Sequence, residues 1–117
     1  MTEITLELPL PPTINSYWGF SGHRRFLTLP AREFKQQVAH IVNQQKINFE
    51  NQKLSIDITL FWKDKRIQDL DNRCKPLLDS LVQAGLANDD SQFKEIHIYE
   101  GGILKGGKTL IKISVID

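Results

Sequence analysis

Apolar residues in this chain recur at two periods. Ile4, Leu6 and Leu8 alternate with Thr5 and Glu7, and Leu54, Ile56, Ile58, Leu60 and Trp62 alternate with Ser55, Asp57 and Thr59. A period of two puts successive side chains on opposite faces of a pleated strand, so residues 2–8 and 54–62 are expected as half-buried strands. Phe34, Val38, Ile41 and Val42 instead recur at helical spacing, after a Thr28-Leu29-Pro30 start with proline in the first turn. The same spacing holds at positions 74, 77, 78, 81 and 82, with Gly85 placed to terminate that helix. Pro9, Pro11 and Pro12 end the first strand, and Arg24 to Thr28 suits a further short one. Phe93, Ile96 and Ile98, then Leu110 to Ile116, read as two strands of a β-hairpin whose connection runs through Gly101-Gly102 and Gly106-Gly107, with Lys105 and Lys108 at a cationic tip. The pattern predicts an α/β fold of α+β content: a single domain over residues 1–117, with a four- to five-stranded mixed or antiparallel sheet and two helices packed on it.

Composition narrows the class. At 117 residues and 40% hydrophobic the chain holds enough apolar surface for one core, which dimerisation would help. A single cysteine, Cys74, excludes an internal disulfide framework and fits a reducing cytosol; on the helical stripe it reads as a small apolar group rather than a reactive thiol. The opening Met1-Thr2-Glu3-Ile4 has neither a basic region nor a long apolar run, so secretion and membrane insertion are not expected and a cytoplasmic location is. A formal charge of +1 is not that of a strongly basic nucleic-acid binder. Its distribution says more. Arg24, Arg25, Arg32 and Lys35 share one segment, and Lys63, Lys65, Arg66, Arg73 and Lys75 surround an acidic run. Such patches serve phosphates, or are simply solvated faces.

That acidic run is Gln68-Asp69-Leu70-Asp71-Asn72-Arg73-Cys74-Lys75, followed fifteen residues on by Asn88-Asp89-Asp90. In an extended segment Asp69 and Asp71 would point the same way, about 7 Å apart at ~3.3–3.4 Å of rise per residue. A third acid, Asp89 or Asp90, would join them if the chain folds back. Lys75 follows Asp71 by four, the spacing of helical neighbours, and its amine could meet a phosphate oxygen or a leaving group. Hard oxygen ligands beside a phosphate suit Mg²⁺, with Mn²⁺ as the alternative. The same residues equally suit helix capping and turns. Pro76 either delays the regular helix to around residues 73–75 or kinks its first turn. Tyr17 and Trp18, in the loop from Thr13 to Gly22, could stack on unpaired bases or cover the edge of the core. His97 alternates away from Ile96 and Ile98, as a surface or interface group would.

The run Asp69-Leu70-Asp71-Asn72 with Lys75, then Leu77, Asp79, Leu81, Gly85, Leu86, Asp89-Asp90 and Gln92, resembles the signature of the RusA-like Holliday junction resolvases. Pro11-Pro12-Thr13-x-Asn15 is similar to the same family's opening, so the resemblance spans nearly the whole chain. It implies a small homodimeric, metal-dependent endodeoxyribonuclease that cuts four-way DNA junctions symmetrically. Asp69, Asp71 and Asp90 would bind metal, Lys75 would be the essential catalytic cation, and Asn72 and Asp89 would support them. Asn15, Arg24, Arg25, Arg32, Lys65, Arg66 and Arg73 are the candidate DNA contacts. Gln68 departs from the arginine that the best-known members carry there, and Ile14 from an asparagine. The rival readings are a non-catalytic module that binds branched nucleic acid and a nuclease for another branched substrate.

Overall fold

The structure, a computed structural model, describes residues 3–117; Met1 and Thr2, and with them the first residue of the expected opening strand, lie outside the described residues. Among the described residues six strands and two α-helices follow in the order β1 (Glu3–Leu8), β2 (Trp18–Ser21), β3 (Arg24–Leu27), α1 (Leu29–Gln45), β4 (Leu54–Trp62), α2 (Cys74–Gln83), β5 (Phe93–Ile103) and β6 (Lys108–Val115). Four strands form one mixed sheet in the order β1-β6-β4-β5, and β2 and β3 pair as a separate antiparallel hairpin. The α+β content and the mixed sheet agree with the expected architecture.

Strand β4 organises the sheet. Its alternation is met residue by residue: Leu54, Ile56, Ile58, Leu60 and Trp62 are all buried, while the residues between them remain half-exposed. Each such burial is worth about 1.5–3 kcal/mol of transfer free energy. The buried face packs against Phe34, Val38 and Val42 of α1 and Leu77, Leu78 and Leu81 of α2, so both helices lie on one side of the sheet. Thr28 caps α1, its Oγ1 accepting the Ala31 N–H at 3.4 Å, and Pro30 occupies the first turn as expected. Gly85 follows α2 with φ +92°, the left-handed conformation that ends a helix without a Cβ penalty.

The expected hairpin between the last two strands does not form. Strand β5 pairs parallel to β4, and β6 pairs antiparallel to β4 along its other edge. The reason is α2. A helix leaving the end of one strand is the crossover that returns the chain in the same direction, so β4, α2 and β5 make a parallel unit. The glycine-rich connection then carries the chain past the end of β4, where the Leu104 N–H donates to the Trp62 carbonyl at 2.8 Å and Gly106 and Gly107 turn with positive φ. This delivers β6, with Ile111 and Ile113 fully buried, to an interior position between β1 and β4. Strand β5 is left at the edge.

Candidate active site

The site forms where β4 hands the chain to α2. The polar loop after Trp62 runs into a 3-10 turn, Asp71–Arg73, and only then into α2 at Cys74. Pro76 therefore falls in the first helical turn, where its missing N–H would have had no intrahelical partner. This matches the delayed start. It also corrects the expectation that Asp69 and Asp71 sit in an extended segment: Leu70 between them is helical, with φ −62° and ψ −44°. Turn geometry, not the period of two, sets how these acids face. Both are exposed, and the Asn72 side-chain amide donates to Asp69 Oδ2 at 3.4 Å.

Lys75 does not take Asp71 as its helical neighbour. Its ammonium donates to Asp90 Oδ2, from the loop after α2. Asp71 belongs to the tighter turn, so the four-residue spacing of a regular helix does not bring it under Lys75. The Asp90 contact, and next the smaller field of Asp79, hold the ammonium above its ordinary range and therefore charged at neutral pH. Asp89 and Asp90 have different tasks. Asp89 caps a 3-10 turn, Asp90–Gln92, accepting the Ser91 N–H at 3.0 Å, and the Ser91 contacts hold its carboxyl below the usual range. The buried Gln92 amide fixes that loop: its oxygen accepts the N–H groups of Asn88 and Asp89, both at 2.8 Å, and its nitrogen donates to the carbonyls of Glu50 and Gln52 at 2.7 and 2.9 Å. Gln92 thus places Asp90 opposite Lys75. Among the described residues, no three His, Cys, Asp or Glu side chains stand close enough together to hold a metal ion by themselves.

The surrounding cations divide into held and free. The Arg73 guanidinium donates to the Pro11 carbonyl at 2.5 Å and to Gln68 Oε1 at 2.8 Å, and stands 5.5 Å from the Trp62 ring centre. Burial pulls its pKa down, and its Nε is buried without a hydrogen-bond partner. Arg66 is engaged by Asp64 two residues earlier, with contacts of 2.9–3.1 Å. Lys65, Arg24 and Arg32 are exposed and form no ion pair among the described residues, and Arg25 lies over the Trp18 ring at 3.9 Å. Asn15 is exposed on a 3-10 turn, Ile14–Ser16, that touches the Asp71–Arg73 turn.

Tyr17 is not available for stacking. It is buried, and its hydroxyl donates to Asp79 Oδ2, the same oxygen that takes the Lys35 ammonium at 2.7 Å. Burial and then the Asp79 carboxylate push the Tyr17 hydroxyl far above its usual range. The aromatics that do face solvent among the described residues are Phe20 and Phe26 on the β2–β3 hairpin and Tyr99 on β5. Asp79, Lys35 and Tyr17 were not legible as a group, because their positions are separated by 44 and 62 residues. The one local signal was a carboxylate between Leu78 and Ser80 on a helix otherwise rich in leucine. Cys74 packs against the core, and burial raises its thiol pKa, consistent with an inert apolar role.

Comparison with known proteins places these features in one lineage. The family described as "Endodeoxyribonuclease RusA" matches residues 9–115. A crossover junction endodeoxyribonuclease of Enterobacteria phage HK97 is 36% identical over 118 residues, covering 100% of this chain and 98% of that protein. Proteins of the same name from Escherichia coli K12 and from Enterobacteria phage 82 are each 27% identical over 115 residues, covering 97% of this chain and 96% of each relative. With its acidic turn, lysine and capped second loop inside a match that runs almost end to end, the chain belongs to the RusA endodeoxyribonuclease family.

Proposed function

We infer that this chain is a crossover junction endodeoxyribonuclease, a Holliday junction resolvase that hydrolyses phosphodiesters in opposing strands of a four-way DNA junction. The observation that carries the reading is the full-length kinship with proteins so named, in a chain whose charged Lys75 stands against Asp90 just after Asp69 and the turn that opens at Asp71. A divalent metal is part of it, and we propose Mg²⁺, with Mn²⁺ as a substitute. The donor chemistry fits. Asp69 and Asp71 offer only hard oxygens, and Mg²⁺ is commonly held by one or two carboxylates with substrate phosphate and water completing its shell. We propose Asp69, Asp71 and Asp90 as the metal-binding acids; they do not stand together in the structure, so Asp90 would have to leave Lys75 and close on the ion. A bound ion there would supply Lewis acidity and make water a better nucleophile at neutral pH.

The chain's own groups supply the rest. The Asn72 amide orients the Asp69 carboxylate. The Lys75 ammonium, more than half exposed, can turn from Asp90 to a phosphate oxygen or the departing 3′ oxygen, where developing charge strengthens the contact. Asn15, Arg24, Arg25, Arg32 and Lys65 present donors for the flanking backbone; Arg66 does so by exchanging Asp64 for phosphate. A homodimer acting in the cytoplasm would set two such sites about a two-fold axis, matching the symmetry of an open junction and giving paired nicks.

Mapping nicks on all four strands of a labelled mobile junction, with Mg²⁺, Mn²⁺ or chelator, tests this reading. Wild type should make symmetric, metal-dependent nicks, and Asp71→Asn should bind the junction yet leave it uncut. Junction binding without nicks by wild type in every metal would overturn it.

A further inference from the structure

Beside the acidic turn the surface opens into a cleft of about 500 Å³, of whose lining the proposed chemistry uses only Arg66. Its lining includes the proline segment around Pro11 and Trp62, and Glu33 and Gln37 from α1. Those two lie one helical turn apart and are exposed, and neither makes a side-chain hydrogen bond among the described residues. Gln68 and Arg73 close the end nearest the site, and in sequence they bracket the segment from Asp69 to Asn72. The Arg73 guanidinium there has no carboxylate partner, only the Pro11 carbonyl and the Gln68 amide oxygen.

These features suit one ligand class. The volume is that of small-molecule pockets, and is far too narrow for a duplex. Flat apolar walls with a few polar groups at one edge are how proteins hold a base removed from its stack. An amide and a carboxylate in the lining supply a donor and acceptors for a base edge, and an uncompensated guanidinium at the inner end supplies a partner for phosphate. We propose that the cleft receives one unstacked nucleotide of the strand to be cut, its base against the proline segment and the Glu33–Gln37 pair, its phosphate at Arg73. This rests on the resolvase reading, because a branch point is where bases leave the stack most readily. It makes the cleft the place where base identity near the nick is read.

Two measurements test the cleft separately from the resolvase reading. In the first, a single abasic site is moved through the positions flanking the nick, and kcat/KM is compared for wild type and a Glu33→Ala, Gln37→Ala double variant. Both residues are exposed and helical, so the fold tolerates the change. One position should cost wild type about tenfold, the size of a lost base contact, and cost the double variant nothing further. In the second, 2-aminopurine at that position should brighten when the junction is bound in chelator, where no cutting occurs. Equal abasic penalties in both proteins at every position, or 2-aminopurine that stays dark throughout, would overturn the cleft while nicking by wild type continued. Failure of the resolvase reading looks different: wild type would make no nicks in any metal.

Discussion

Helix α2 carries two lysine–aspartate contacts, one turn apart, with opposite characters. Asp79 meets Lys35 at 2.7 Å with the lysine side chain only 12% exposed, and the buried Tyr17 hydroxyl adds a second donor to the same oxygen. Lys75 meets Asp90 with the lysine side chain 62% exposed and no third partner. The first contact ties α1, α2 and the N-terminal turn together. The second can exchange Asp90 for a substrate oxygen at little cost, since exposed ion pairs are worth ~0–1 kcal/mol. The same chemical pair is thus fixed where burial holds it and open to exchange where water reaches it.

Three experiments would break or sharpen that contrast. The largest effect is expected from Lys75→Ala: junction cleavage should fall about 10²–10³-fold, the usual cost of deleting a preorganised charge-stabilising donor. Its urea-unfolding free energy should move by less than about 1 kcal/mol. A large stability loss would make this pair structural after all. Next comes Asp79→Leu, which strands the Lys35 ammonium and the Tyr17 hydroxyl. Removing one partner of a fully buried pair costs ~3–5 kcal/mol, and the partial exposure of Asp79 brings the expected loss down to about 2 kcal/mol. Asp79→Asn, which keeps a hydrogen-bond acceptor, should recover part of it. An unchanged unfolding midpoint in Asp79→Leu would show that the network holds nothing together.

The smallest effect is in acid. Burial pushes the Asp79 carboxyl up, but the Lys35 and Tyr17 contacts outweigh it and leave the folded-state pKa below the ordinary value of 3.8. A carboxyl depressed in the folded state contributes its stability above the unfolded pKa and loses it as pH falls through the folded one. Urea midpoints should therefore drop for wild type below about pH 4, near the unfolded aspartate value. The drop should be shallower for Asp79→Asn. Equal slopes in the two proteins would remove Asp79 from the acid response.

Legibility in the sequence followed the range of the forces involved. Strand β4 and the buried stripe of α2 were readable because each is written in residues two to four apart, and Gly85 because a helix end needs a positive φ. Asp69, Asp71, Asn72 and Lys75 were readable as a chemical set, yet their partners were not. The periods of regular strand and helix predicted an extended segment for the acids and an Asp71–Lys75 pair, and the structure has neither. Tyr17 met the core-covering alternative, but its partner was not readable: an aromatic in a loop says nothing about a half-buried aspartate 62 residues away.

By itself the sequence determined the strands and helices other than β2, which falls inside the stretch Thr13 to Gly22 read as a loop, and the order of acid, amide and lysine along the chain. It also carried the family likeness. Only the tertiary structure decided that β5 and β6 flank β4 instead of pairing with each other, that Lys75 faces Asp90, that Asp79 is locked to Lys35 and Tyr17, and that a cleft lies beside the acids. Local geometry fixes periodicity because neighbouring side chains share one backbone conformation. Polar partners are chosen later, when burial of the apolar faces brings distant loops together and each charge takes whichever opposite group remains within reach.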